Sequence, residues 1–577
     1  MSHLPGDPPE PVVPGAARSA WTTALAFGVV AVPFAIGLVR LATAPGSHLT
    51  LPDDLALIDL HTREALRWQQ QLGVFDHNGW NHPGPAYFYL LSVVYRVLGS
   101  GARSLFVGAT LVNALAAVGC VAVVRRRAGP ARALWASVWV GVLGVLLVAT
   151  GPGSTTYSEG GLGALVSPWN PTVVIVPLLL LVLLCAASFA RSGLSLLGAV
   201  LVGSFIVQTN ISCLPVVAAV LVVAAAGWVA TVVRDRRTGR PPGPPDRRRR
   251  AIGWTVAGVV VLVVMWAPPV IQQLTNHPGN LTLIERFFSS NHAGKSLGQA
   301  LWSLVAVEGI LVGGTAEVMG SFLGGSPAHA ALAVVATVAV VGVAVALVVA
   351  GIRGRARFAT ALGALGLVGT VATVVSADRV VGPIFGYLVV WAVAVPVAVL
   401  IGVGMLPWAR PRSASGRPLA AGDGARLVLA AVAVVVGVVL SIGVATLPAL
   451  ATVSDPVVGK LTAMVTPVLA PGATVFVGDN GFEDARCAPQ LIPTEEFIGL
   501  VNQLDARGYH PKVNAFWQAQ FGPGYQSDGR EPAQVELSQW TPASPDLPGY
   551  RGRVGEIAVT VSATPDRLPA TRCPARA

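Results

Sequence analysis

Residues 51–91 read LPDDLALIDLHTREALRWQQQLGVFDHNGWNHPGPAYFYLL, and the runs that flank them decide the fold. On either side, at 20–39 and 104–124, lie apolar runs without a single Asp, Glu, Lys or Arg. Between them, Asp53, Asp54, Asp59, Glu64 and Asp76 crowd together with His61, His77 and His82. A charge-free run of about 20 residues crosses the hydrocarbon of a bilayer as a helix. The quoted stretch is therefore a charged loop held between two membrane spans.

Nine more runs follow the same rule, at 133–150, 171–190, 194–212, 213–233, 251–271, 328–350, 358–376, 384–406 and 427–450. The expected fold is a polytopic α-helical membrane protein with about eleven transmembrane helices. Composition agrees, since 53% of the 577 residues are hydrophobic and 12% charged, half the roughly 25% of a soluble domain. A mean hydropathy of +0.65 excludes a water-soluble globule and a disordered chain.

Orientation follows from the basic residues. Residues 85–98 are too short to cross and carry Arg96, and 297–323 is interrupted by Glu308 and Glu317. With both on, or dipping into, the outer surface, every basic cluster shares one side: 125–132, Arg191, 234–250, 353–357 and 410–426. Together with residues 1–18, those inner segments hold 21 basic and 5 acidic residues, against 18 and 23 outside. The expectation is a multi-pass protein of the cell membrane with residues 1–18 cytoplasmic and the C-terminus outside. The net charge of +11 is thus a topology signal. RDRRTGRPPGPPDRRRR at 234–250 reads as a linker touching anionic membrane lipid, with no nucleic-acid partner expected. Ala42-Thr43-Ala44 resembles a signal-peptidase site, but the preceding run exceeds a usual signal core and is kept as the first span.

Three parts result: the tail 1–18, a transmembrane domain 19–450 with its first outer loop at 43–103, and a small extracytoplasmic α/β domain at 451–577. In the last, ATVFVG (473–478) and RVGEIAVTVS (553–562) read as strands, and TEEFIGLVNQLDAR (494–507) as a capped amphipathic helix. Cys487 and Cys573 are expected to pair in an oxidising compartment, whereas Cys120, Cys185 and Cys213 fall in or beside spans as packing residues. Trp517, Trp540, Tyr525 and Tyr550 suit either sugar stacking or a core.

Charge-free spans remove the usual signature of a proton-coupled pump, so the chemistry is sought in the outer loops. Pro52 suits a first helical turn, and Asp53 and Asp54 follow where the helix dipole favours anions. The helix is expected to run to about Gln71, with Leu55, Ile58 and Leu66 on one face and Asp59, Arg63 and Arg67 spaced by four on another. Capping and an Asp59–Arg63 pair account for these carboxylates as readily as catalysis does. The loop's closing WNHPGPAYFY (80–89), a histidine followed by an aromatic cluster, favours catalysis.

Here the chain resembles the GT-C superfamily of integral-membrane glycosyltransferases, which includes protein O-mannosyltransferases and lipid A aminoarabinose transferases. Their first external loop carries an acidic pair after a Pro, a juxtamembrane helix, and a His-Pro-Pro-Leu or Lys-Pro-Pro-Leu element. Pro52-Asp53-Asp54 and His82-Pro83-Gly84-Pro85 stand at the corresponding places, with Asp for Glu and Gly-Pro for Pro-Leu. The resemblance implies a polyprenyl-phosphate-linked sugar donor, an envelope glycan, lipid or protein acceptor, and inversion at the anomeric carbon.

A phosphate leaving group needs no acid, so one carboxylate base suffices. Asp54 is the first candidate and Asp53 the second, with His82 orienting acceptor or phosphate. Candidate substrate-binding residues are Asp59, Arg63, Arg67, Trp80, Asn81, Arg286, Lys295 and Arg379, the cations being the external groups able to hold phosphate. A divalent metal ion fits if Asp53, Asp54 and His82 converge. Ser167-Pro168-Trp169-Asn170-Pro171 and Gln208-Thr209-Asn210 fall at outer membrane edges, as turn, anchor or site lining. With Arg outnumbering Lys 36 to 3, a high-GC bacterial chain is expected, for which an arabinose- or mannose-type donor is suitable. The alternatives are a transporter or flippase of a lipid-linked saccharide, which would favour internal repeats not seen here, and a scaffold presenting the C-terminal domain.

Overall fold

The computed structural model describes residues 14–45, 49–149, 162–189, 192–238, 245–290, 294–313, 327–406, 421–479 and 494–562. Cys487, Cys573 and Arg191 lie outside these residues.

The helices in chain order are α1 (Pro14–Thr43), α2 (Asp53–Leu66), α3 (Ala86–Leu98), α4 (Ala102–Ala128), α5 (Pro130–Ala149), α6 (Asn170–Val173), α7 (Ile175–Ser188), α8 (Gly193–Thr209), α9 (Leu214–Arg237), α10 (Pro245–Thr275), α11 (Asn280–Ser289), α12 (Leu297–Gly313), α13 (Pro327–Arg353), α14 (Arg357–Asp378), α15 (Ala394–Val403), α16 (Ala421–Ala445), α17 (Pro456–Val465) and α18 (Thr494–Ala506). Among the described residues, nine helical segments are long and apolar enough to cross a membrane, and the chain is a multi-pass membrane protein. They account for nine of the eleven expected spans. The other two are α8, 17 residues and about 25 Å long, and the run 384–406, in which two 3₁₀ turns (Gly386–Leu388 and Val390–Val393) precede α15. Apolar composition predicts burial in lipid or protein, but not where a helix breaks.

Helix α1 packs between α4, α5 and α16. Its last-turn Arg40 donates to the Val444 and Leu447 carbonyls at the end of α16, at 2.6 and 2.5 Å. A cation there satisfies orphan carbonyls and the negative end of the helix dipole. Helix α12 dips into the bundle beside α13 and α14, where Glu308 is buried. The short helix α3 packs on α2 and α4.

In the first loop β1 (Phe75–Asp76) pairs antiparallel with β2 (Trp80–Asn81), and the C-terminal region builds a five-stranded sheet from β3 (Thr474–Asp479), β4 (His510–Lys512), β5 (Ala533–Gln539), β6 (Tyr550–Val554) and β7 (Ile557–Ser562), in the order β4-β3-β5-β7-β6. β4 and β5 run parallel to β3, with α18 as the β3–β4 crossover, and β7 is antiparallel to β5 and β6. The single strand expected at 553–562 is a hairpin, because Gly555 takes φ +58° and reverses the chain. Trp517 and Tyr525 are core residues: Trp517 stacks on Phe497 at 4.7 Å, and the Tyr525 hydroxyl donates to Asp505 at 3.0 Å. Trp540 instead carries the Arg553 guanidinium over its ring, 4.1 Å from the centroid.

Candidate active site

Helix α2 begins at Asp53 and ends at Leu66, five residues before the expected Gln71, since Arg67 caps it and Trp68 turns left-handed at φ +63°. Capping does not explain the acidic pair. The N-cap is Pro52, no side chain caps the helix, and Asp53 itself sits at φ +42°, a conformation that costs a non-glycine residue about 1–3 kcal/mol and is concentrated at functional sites.

Asp53 is half-buried, and burial together with the charges of Asp54, Glu495 and Glu496 raises its carboxyl to about 8. The two glutamates open α18, so the C-terminal region supplies negative charge to the first loop. Glu496 is itself raised to about 7, mainly by burial. Asp54 is held differently: its Oδ2 accepts the Trp169 indole N–H at 2.9 Å. The Trp169 ring lies 5.0 Å from Tyr387, which stacks on Phe385 at 5.8 Å and an interplanar angle of 6°. An aromatic row thus leads from Asp54 to Phe385, which is exposed.

The bundle presents this row because three apolar segments are interrupted together. Trp169 precedes the break between α6 and α7, Asn210 separates α8 from the 3₁₀ turn Ile211–Cys213, and Tyr387 lies in the 3₁₀ stretch before α15. Trp391 Nε1 donates to Ser212 Oγ at 3.0 Å and Ser376 Oγ to the Ser212 carbonyl at 2.5 Å, tying the breaks to one another. Non-helical backbone at membrane depth persists where it is buried in protein or lines a cavity.

His82 corrects an expectation. Its Nδ1 accepts the Ile211 N–H at 3.2 Å and its Nε2 meets the Asn170 amide at 3.0 Å. Burial lowers it to about 4, so the ring is neutral at physiological pH. Both ring nitrogens are occupied by protein, and His82 fixes the Trp169-Asn170 segment, not a substrate. The departure from His-Pro-Pro-Leu has a steric cause at the same place. Gly84 abuts the Gln208 side chain, whose Oε1 accepts the Ala86 N–H at 3.3 Å and whose Nε2 donates to the Met265 carbonyl at 3.1 Å. At Gly73 a Cβ would stand 2.7 Å from the Gln208 carbonyl oxygen and 2.9 Å from that of Gly84, both backbone atoms. Gly73→Ala is expected to destabilise the chain by about 1–3 kcal/mol, the usual cost of overpacking, measured as a lower thermal midpoint in detergent.

The other expected binding residues divide into groups. Asp59 and Arg63 are buried and consumed by structure. Asp59 accepts from Arg63 Nη1 and the Tyr95 hydroxyl, each at 2.5 Å, and from Asn502 Nδ2 at 3.1 Å. Arg63 also donates to Asp505 Oδ2 at 2.9 Å and Asn502 Oδ1 at 2.6 Å. They latch α2 to α18 and leave no polar atom of Arg63 for a substrate. Arg67 is exposed, 3.9 Å from Asp505 Oδ1. Trp80 is buried among Ile211, Ile284 and His82. The Asn81 main chain exchanges two bonds with the Asn280 side chain, at 2.8 and 2.7 Å, binding the loop to α11. Asp59, Arg63 and Trp80 are corrected for one reason, that the polar or aromatic group faces another protein segment, and Asn81 because its side-chain amide turns back to the Gly73 carbonyl of its own loop at 3.4 Å.

Lys295 meets the segment that carries Arg379. Lys295 Nζ donates to the Gly382 carbonyl, and its N–H reaches the Asp378 carbonyl at 3.4 Å. Arg379 is exposed beside Asp378, at the start of the segment leading to Phe385 and Tyr387. Arg286 is exposed on α11. Among the described residues no three His, Cys, Asp or Glu side chains are grouped to hold a metal ion, and Asp53, Asp54 and His82 do not converge into such a set. Residues that sequence reasoning passed over are Tyr387 and Phe385, inside an apolar run, and Glu495 and Glu496, more than 440 positions from the Asp53 they face. Trp169 carried a signal in its Ser-Pro-Trp-Asn-Pro setting, equally suited to an interfacial anchor.

No family model and no curated protein sequence matches the chain. Solved structures do. ArnT from Cupriavidus metallidurans bound to undecaprenyl phosphate superposes with a TM-score of 0.52 at 16% identity, covering 94% of this chain and 98% of that one. The apo state of the same protein gives 0.51 at 15% identity, with the same coverage. The likeness covers nearly the whole of both chains, and the chain therefore shares the fold of ArnT.

Proposed function

We propose that the chain is a membrane glycosyltransferase that moves a sugar from a polyprenyl-phosphate donor to an acceptor hydroxyl on the outer face of the cell membrane. The observation that carries the reading is the Asp53–Asp54 pair, one carboxyl raised and half-buried, the other held by Trp169 at the head of an aromatic row. With Asp53 protonated at neutral pH, Asp54 is left as the base. Asp54 takes the acceptor O–H proton while that oxygen attacks the anomeric carbon from the face opposite the phosphate. The anomeric C–O bond breaks, its electron pair leaves with polyprenyl phosphate, and configuration inverts. Lys295, bonded to the segment that leads from Arg379 to Phe385 and Tyr387, and Arg379 on that segment are assigned to the phosphate. ArnT, bound to undecaprenyl phosphate in one of its structures, supports the choice of carrier. The N-terminus is placed in the cytoplasm and the acidic loop outside by the distribution of basic residues.

The test supplies membranes containing the chain with a polyprenyl-phosphate-linked arabinose or mannose and follows polyprenyl phosphate release together with glycan labelling. Translocation of the donor without release would replace the transferase by a lipid-linked saccharide carrier. The pH profile gives a second check. The alkaline limb of transfer is expected near 8, where Asp53 loses its proton. Replacing Glu495 and Glu496 by Gln removes negative charge that favours the neutral form, so that limb should move to lower pH.

A further inference from the structure

Where the first loop meets the C-terminal region there is a cavity of about 510 Å³. Its polar lining is Thr50, Ser454, Asp455, Thr462, Thr466 and Arg507, and the remaining wall is Pro456, Gly459 and Ala463. No large apolar side chain contributes, unlike the mostly apolar lining of common small-molecule pockets of this size. The threonine hydroxyl protons are already committed: Thr462 to the Val458 carbonyl at 2.7 Å, Thr466 to that of Thr462 at 2.9 Å, and Thr50 to that of Asp455 at 2.6 Å, with the Ser454 hydroxyl 2.9 Å from Thr50 Oγ1. Hydroxyls so committed offer only lone pairs to a ligand. Asp455 adds a carboxylate, one oxygen of which caps α17 through Val457 and Val458. Facing this acceptor-rich wall is a single strong donor, Arg507, held at Nη1 by the Gln503 carbonyl and side-chain oxygen and forming no ion pair among the described residues.

A small anion would meet one guanidinium and a wall of repelling oxygens. A neutral polyol, with many O–H donors and some acceptors, satisfies both sides. The place is equally telling. Thr50 stands three residues before Asp53, at most about 10 Å of extended chain. Thr50 is also pinned to the connector, its N–H reaching Ser454 Oγ at 3.1 Å while its carbonyl accepts the Asp455 N–H at 2.7 Å. The chain length between Thr50 and Asp53 keeps the cavity and the carboxylate pair within the span of a short oligosaccharide.

We propose that this cavity is an acceptor subsite, holding a neutral internal sugar of a glycan whose free end is presented to Asp54. The proposal rests on the transferase reading, and it narrows the acceptor from envelope glycan, lipid or protein to a glycan of at least two units.

The experiment uses the full chain in nanodiscs and measures binding of linear arabinose and mannose pentasaccharides, with inorganic phosphate as the anion probe. Arg507→Ala removes the donor, and Ala463→Trp fills the cavity from an exposed position of α17. Each variant is expected to weaken pentasaccharide binding at least tenfold and to raise the acceptor KM by a similar factor, with the donor KM unchanged. Wild-type binding of neither pentasaccharide, binding of phosphate alone, or full binding by both variants overturns the subsite. Failure of the transferase reading looks different: oligosaccharide binding remains cavity-dependent, but no polyprenyl phosphate is released.

Discussion

Membranes carrying Asp54→Asn should transfer sugar about a hundred to ten thousand times more slowly than wild type, the range contributed by a positioned general base. Asparagine keeps the shape and, through its amide oxygen, the Trp169 contact at 2.9 Å, so the loss isolates proton acceptance. The donor KM should stay within a few-fold, because an interaction made only in the transition state lowers kcat. Asp53→Asn mimics the protonated neighbour and should retain most activity at neutral pH while removing the alkaline limb near 8. Wild-type rates in both variants would remove the acidic pair from the mechanism altogether.

The second large effect concerns stability. Asp59→Ala should cost about 3–5 kcal/mol, the loss seen when one partner of a buried ion pair is removed. Three donors lose their acceptor at once: Arg63 Nη1, the Tyr95 hydroxyl and Asn502 Nδ2. Limited proteolysis of the full chain should then cut between the first loop and α18, and the thermal midpoint should fall. Arg67→Ala is the control, since its exposed side chain stands 3.9 Å from Asp505 and such surface pairs contribute about 0–1 kcal/mol. Equal midpoints for wild type and Asp59→Ala would mean that the latch carries no stability.

What the sequence made legible follows from physics that acts locally. Charge-free length identified the membrane helices because the bilayer imposes it on each segment separately. The i,i+4 spacing of Asp59 and Arg63 likewise announced their ion pair. Their shared partner in α18 was out of reach, because Asp505 lies 442 residues from Arg63 and no periodicity links them. His82 was legible as important and was misread in role: a histidine beside an aromatic cluster suggests chemistry, and only the Ile211 N–H and Asn170 amide show its nitrogens occupied. In the run 384–406 hydropathy concealed the 3₁₀ turns that bring Tyr387 to Trp169. The strand expected at 553–562 failed at Gly555, where alternation continued through a turn.

The latch between α2 and α18 also sets a timetable for biogenesis. The ribosome must add 442 residues after Arg63 before Asp505 exists, roughly 20–90 s at 5–20 residues per second. Through that interval the acidic loop is already made while its counter-surface is not, with Arg63 and Asp59 answering only to each other and to Tyr95. Chains that stop short of Asp505 would carry the carboxylate pair without the segment that locks it. Synthesis of the chain through Asp505, close to seven-eighths of its length, therefore decides when the latch on the loop can first form.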